Sequence, residues 1–149
     1  MKLNTFCTLD VACCGRATTA LAAARLMRER HVGDVVVVDD LEQGRVPCGV
    51  ITDRDIVVEA LGNNGDPAKI TVGSMMRTPV VVVQDTDDIT IALGQMSAHG
   101  VRRLPVVDHS GALVGLISLD DLLKVWAADA ASFVDVIVKQ QRREYRTRR

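Results

Sequence analysis

The chain is poor in aromatic residues: one Trp, one Tyr and two Phe make up 3% of its 149 residues. So few rings exclude the stacking platforms that proteins use to hold single-stranded nucleic acid, and they leave the core to Val, Ala, Leu, Ile and Met. Long apolar runs are missing as well, and nothing approaches a membrane span of ~20 residues. The opening MKLNTFCTLDVACC is interrupted by Asn4, Thr5, Thr8 and Asp10, whereas a secretory signal needs a continuous apolar stretch. A cytoplasmic protein is expected. Cysteines are few (Cys7, Cys13, Cys14 and Cys48). Adjacent Cys13 and Cys14 are badly spaced for two zinc ligands, and no histidine lies near them, so all four read as small buried hydrophobes. His31, His99 and His109 are scattered; the first two fall at the ends of helical patterns and suit helix-end roles better than catalysis. There is neither a phosphate-binding P-loop nor a nucleophile with a base at recognisable spacing, so no enzyme activity is expected.

The residues that are present suit one globular unit, 48% hydrophobic and 25% charged, which is long enough to bury a core. They also repeat. GVITDRD at 49–55 returns as GLISLDD at 115–121, and LMRERHVGDVVVVDD at 26–40 aligns with QMSAHGVRRLPVVDH at 95–109. The offset is 69 positions up to Asp39 and 66 beyond it, so the first copy carries three extra residues in its LEQGRVP loop. Surface turns tolerate such a change.

Each copy predicts the same elements. Apolar residues at helical spacing mark 17–30 and 87–100, with Thr or Asp placed to cap the start and a glycine stopping or following the end. VVVV at 35–38 and LPVV at 104–107 read as strands covered on both faces. CGVIT at 48–52 and LVGLIS at 113–118 read as partner strands that turn directly into further helices near Asp53 and Leu119. VVVVQ at 80–84 and the looser TLDVACC at 8–14 read as leading strands. The expected order is β-α-β-β-α, twice, with boundaries 8–62, a linker 63–79, and 80–128.

A strand that ends in Gly-x-Ile-[Thr/Ser] and enters a helix puts a hydroxyl and free amides at a helix N-terminus, where partial positive charge attracts phosphate. Three residues later an aspartate offers two acceptor oxygens. A carboxylate repels phosphate, but it suits the two hydroxyls of a ribose diol. Thr52 with Asp55 and Ser118 with Asp121 therefore fit a nucleoside phosphate. The same spacing also fits a capping box with no ligand.

HVGDVVVVDD with GVITDRDI, then VGSMMRTP, then GVRRLPVVDHSGALVGLISLDDLL resembles a tandem pair of cystathionine beta-synthase (CBS) domains, the arrangement called a Bateman module, over roughly residues 8–128. The resemblance implies an α/β fold of two β-α-β-β-α repeats packed sheet to sheet with pseudo-twofold symmetry. It implies two clefts for adenine nucleotides (AMP, ADP or ATP) or related compounds such as NAD(P) or S-adenosylmethionine, taken as regulatory ligands with no obligatory cofactor. It also implies a homodimer and a role in signal transduction, with a downstream protein partner still to be named. Thr52, Asp55, Ser118 and Asp121 are carried over as phosphate or ribose contacts. Arg102 and Arg103 stand where the family often places cations near the phosphates; as guanidinium forks they suit that role, and as surface charges they would equally be solvated. The first copy has Gly33 and Asp34 there, so unless Arg54 or the other repeat compensates, an anion should prefer the Ser118 cleft. Adenine is expected against Val32, Val50, Val101 and Leu116, residues that could equally be core.

The stretch 119–141 spaces Leu122, Trp126, Ala130, Phe133 and Ile137 as one amphipathic stripe. It is longer than a closing helix requires and is expected to pack across a dimer partner. The alanine-rich face Ala20, Ala23, Ala24 and Met27 permits close helix approach in the same way. The last eleven residues, KQQRREYRTRR, carry a net +5 and leave −6 for the rest of the chain. Such an end is either a solvated terminus or a site for nucleic acid or an acidic partner.

Overall fold

Both copies of the repeat fold in the same way. The computed structural model describes residues 1–147 and holds two three-stranded sheets, one per copy. In the first, β1 (Cys13–Cys14) runs parallel to β2 (Asp34–Leu41), which pairs antiparallel with β3 (Gly44–Thr52). Helix α1 (Ala20–Arg30) makes the crossover. After β3 the chain enters α2 (Asp53–Asp55), a π-helical turn Ile56–Leu61 and a short α3 (Val72–Met75). The second sheet repeats the plan with β4 (Val83–Gln84), α4 (Ile89–His99), β5 (Arg103–Val107) and β6 (Leu113–Ser118), and the chain closes in α5 (Leu119–Thr147).

Register shows how closely the copies correspond. The β2–β3 ladder slips between Val37 and Val38, leaving Cys48 as the extra residue, and the β5–β6 ladder slips between Val106 and Val107, leaving Val114. These are the positions that the repeat alignment equates. A bulge at the same point in both sheets adds local twist to both. Val35, Val36 and Val37 are wholly buried, as are Leu104 and Val106, which explains why these strands read as unbroken apolar runs rather than alternating ones.

The crossover helices bury matching residues: Ala20, Ala23 and Met27 in α1, and Ile89, Ala92 and Met96 in α4. Thr19 caps α1 by accepting from the Ala22 amide at 3.1 Å, and Asp88 caps α4 by accepting from Thr90 at 3.0 Å. At the C-terminal ends the copies differ. Gly100 closes α4 in the left-handed conformation (φ 63°), whereas His31 takes that position after α1 (φ 53°). Thus His31 stops the first helix, with Gly33 following two residues on, and a side chain at the cap strains the backbone where glycine would not.

The leading strands are shorter than 80–84 and 8–14 predict, and the segments ahead of them are used elsewhere. Thr8 exchanges two backbone hydrogen bonds with Leu116 of β6, at 2.8 and 2.9 Å. Leu3 is fully buried in the second core, and Val72 is fully buried in the first, with Met75 and Met76 packed beside it. Each copy's leader therefore crosses to the other copy's sheet. Gly49 and Gly115 make room for this: a Cβ on Gly49 would meet Met76 at 2.5 Å, and one on Gly115 would meet Cys7 at 2.6 Å. The stretch 63–79, read as a linker, thereby supplies part of the first core.

Helix α5 runs for 29 residues. Leu122 anchors its first turn in the second core, but from Trp126 to Arg146 every side chain except half-buried Val138 is exposed. The basic segment is helical as far as Thr147; Arg148 and Arg149 lie outside the described residues. Among those described, no helix is long and apolar enough to cross a membrane.

Candidate functional site

Both hydroxyl–acid corners form where a buried strand delivers its last residue to a helix start. At the first, Thr52 Oγ1 accepts from the Asp55 amide at 3.1 Å, and the Thr52 amide donates to Asp55 Oδ2 at 2.9 Å. At the second, Ser118 Oγ accepts from the Asp121 amide at 3.1 Å, while the Ser118 amide and hydroxyl donate to Asp121 Oδ2 at 3.1 and 2.6 Å. Each corner is a reciprocal capping box. Capping uses only one oxygen of each acid. Asp55 Oδ1 faces Arg77 Nε at 3.8 Å, and Asp121 Oδ1 faces Lys124 Nζ at 3.4 Å. Burial pushes the Asp121 carboxyl up, but the Ser118 hydroxyl and amide, together with Lys124, outweigh it and hold the group below its ordinary range.

The three arginines differ in their surroundings. Arg103 is tied by its Nε to Asp34 Oδ1 at 2.8 Å, so it is not a solvated charge. Arg102 is exposed and faces Asp120 at 3.4 Å. Arg54 is exposed, and its amide donates to Asp53 at 2.8 Å. Burial raises the Asp34 carboxyl, Arg103 opposes that rise and the nearby Asp53 adds to it.

Of the expected apolar wall, Val50 and Leu116 are half-buried on β3 and β6. The backbone of Leu116 is bonded to Thr8, and Val50 forms a bridge with Arg77. Val101 packs against the second core, and Val32 is 38% exposed. The cysteines are free and half-buried rather than fully enclosed. Burial raises all four thiols, which keeps them protonated and poorly nucleophilic. Among the described residues no cluster of His, Cys, Asp or Glu could hold a metal ion.

The fold built from these two matched sheets has counterparts among known proteins. The model of the CBS domain matches residues 4–62 and again 72–128. The chain belongs to the CBS domain family. This CBS pair is 35% identical over 107 residues to an uncharacterized protein of Methanopyrus kandleri, covering 72% of this chain and 53% of that one. It is 34% identical over 114 residues to hypoxic response protein 1 of Mycobacterium tuberculosis, covering 76% and 77%. The crystal structure of Hypoxic Response Protein I, with two coordinated zinc ions, superposes with a TM-score of 0.73 at 31% identity, over 83% of this chain and 98% of that one. A CBS domain protein from Pyrobaculum aerophilum complexed with AMP superposes at 0.73 with 25% identity, over 82% and 90%. A CBS domain pair in complex with 5′-methylthioadenosine and S-adenosyl-L-methionine reaches 0.75 at 21% identity, over 87% and 98%, a likeness of fold.

Sequence reasoning missed two charged residues of this CBS pair, Asp34 as a buried partner and Arg77 as a cation at the Thr52 corner. The signal for Asp34 was available. Residues near a twofold axis meet their own equivalents, and Asp34 and Arg103 are equivalent and opposite in charge. Arg77 gave no comparable signal, because nothing in the repeat says that a leader crosses over.

Proposed function

We propose that the CBS pair is a non-catalytic regulatory module that binds an adenine nucleotide or a related adenosyl compound at its two corners. The observation that carries this reading is the acid oxygen that capping leaves out, which at each corner meets an exposed cation, Arg77 or Lys124, that can turn aside to water. Each acid is held in place by its cap yet keeps Oδ1 turned away from it, positioned to accept from a ribose hydroxyl without undoing the helix start. At the Ser118 corner the start of the long α5 adds partial positive charge that favours an anion beside the acid. AMP in the Pyrobaculum aerophilum relative supports an adenine nucleotide; ADP, ATP, NAD(P) and S-adenosylmethionine share the same ribose and adenine. Binding between the repeats would shift their packing, and a protein partner would read that as a change of population.

Calorimetric titration with AMP, ADP, ATP, NAD and S-adenosylmethionine tests the reading, with melting shifts alongside. Asp121→Ala should remove the ligand-induced shift. If it lowers melting equally with and without ligand, the corner is a cap alone.

We further propose that the protein self-associates through α5. Leu123, Trp126, Phe133 and Ile137 are between 44% and 71% exposed, and an isolated helix of this kind gains its stability from packing. Its first twenty residues carry Asp120, Asp121, Asp129 and Asp135 against Lys124, and the basic segment follows. Antiparallel pairing of two copies sets basic end against acidic start. Light scattering on the whole chain should give a dimer, and Phe133→Glu with Ile137→Glu should give a monomer; a wild-type monomer at micromolar concentration refutes the pairing.

A further inference from the structure

Asp34 and Arg103 occupy matching positions of the two copies and meet between them as an ion pair, Arg103 Nε lying 2.8 Å from Asp34 Oδ1. Asp34 is 6% exposed, and its other oxygen, Oδ2, has no hydrogen-bond partner among the described residues. The contact is one-pronged, whereas a guanidinium and a carboxylate can make two parallel bonds. A buried carboxylate left half satisfied is costly. Position gives the pair its meaning. Asp34 lies directly opposite Thr52 in the β2–β3 ladder, and Arg103 directly opposite Ser118 in the β5–β6 ladder. Opposed residues share a face, with Cβ atoms about 5 Å apart. The ion pair therefore runs from one corner to the other, and the cation beside Ser118 is already occupied by a carboxylate from the other copy. Other cations near the corners are committed too: Arg102 faces Asp120, Lys124 faces Asp121 and Arg77 faces Asp55.

We propose that Asp34 is a built-in competitor for ligand phosphate, and that it sets the selectivity of the module between phosphorylated and phosphate-free adenosyl compounds. The inference rests on the adenosyl reading above. A phosphate entering beside Ser118 competes with Asp34 for the charge of Arg103, and drawing the guanidinium toward it weakens the one ion pair of a buried carboxylate that has Asp53 close by. Adenosine makes no such demand. Asp34 thus weakens AMP and leaves the nucleoside alone.

The test is calorimetric titration of AMP and of adenosine into wild type, Asp34→Asn, Arg103→Gln and the double variant, with unliganded thermal unfolding to show that each is folded. Asp34→Asn should tighten AMP about tenfold and change adenosine by less than about twofold. The gain should vanish in the double variant, because it acts through Arg103. Asp34→Ser serves the same comparison if the Asn variant does not fold. An unchanged AMP-to-adenosine ratio in Asp34→Asn overturns the inference, as does a gain that survives in the double variant, since general charge removal would then explain it. If neither compound binds any of the four proteins, this inference falls; if ADP, ATP, NAD and S-adenosylmethionine also fail to bind wild type, the adenosyl reading falls with it.

Discussion

The two copies share a bulge, a capped crossover helix and a capped corner, yet they begin their central strands with opposite charges, Asp34 in β2 and Arg103 in β5. They also leave their corners differently: three residues of α2 and then a π-helical turn after Thr52, against 29 continuous helical residues after Ser118. Shared features belong to the fold, because both sheets need them to twist and end alike. The differences concentrate at the contact between the copies and at the helix that leaves them. Duplication thus supplies a symmetric scaffold, and a few unmatched residues make its two halves unequal.

The sharpest way to break this comparison is to remove one half of the central ion pair at a time. Arg103→Ala strands a buried carboxylate, and we expect a loss of about 2–3 kcal/mol in urea unfolding. This falls below the ~3–5 kcal/mol of a fully buried pair because the Arg103 side chain is 37% exposed. Asp34→Ala leaves a cation that can turn to water, so its loss should be smaller. Equal losses would show that the pair is not asymmetric. The corners come next. Ser118→Ala and Thr52→Ala should each lose about 1 kcal/mol as helix caps. Ser118→Ala should lose the more, since its hydroxyl also donates to Asp121, and far-ultraviolet circular dichroism should register the difference in helix content.

The C-terminal ends of the crossover helices offer a subtler test, one that makes the copies more alike. His31→Gly should raise stability by about 0.5–1 kcal/mol, and Gly100→Ala should lower it by about 1 kcal/mol, both read from the denaturation midpoint. Nothing lies within 4 Å of a Cβ built on Gly100, so backbone strain alone accounts for the second effect. The smallest contrast is in acid. Asp34, raised by burial, contributes a penalty that grows as pH climbs from the ordinary carboxylate value near 3.9 through its folded value. Asp121 is held low, and its stabilisation is present above the ordinary value and lost as pH falls through the folded one. Stability against pH for Asp34→Asn and Asp121→Asn should therefore diverge from wild type in opposite senses.

Much of this was legible in the chain. The strand read at 113–118 is observed as Leu113–Ser118, and the helices end where 17–30 and 87–100 place them, within a residue. Repetition fixes such elements because two noisy patterns must agree. β2 runs on to Leu41, past the predicted valines, since hairpin pairing with Gly44 continues where hydrophobicity stops. The corners were legible with two alternative uses, cap or ligand site, and the geometry displays the cap. What escaped was contact between distant segments: Thr8 on Leu116, Arg77 beside Asp55, Asp34 on Arg103. Periodicity reports which face of an element is buried, never which copy buries it.

Helix α5 starts at the residue after Ser118. Twenty-nine residues at about 1.5 Å each make a rod about 43 Å long, rooted beside one proposed corner and carrying its basic end at the far tip. By lever geometry, a tilt of about 5° at the root would sweep that tip through about 4 Å. Whatever grips the distal half of the rod would feel, magnified, an adjustment too small to notice at the fulcrum.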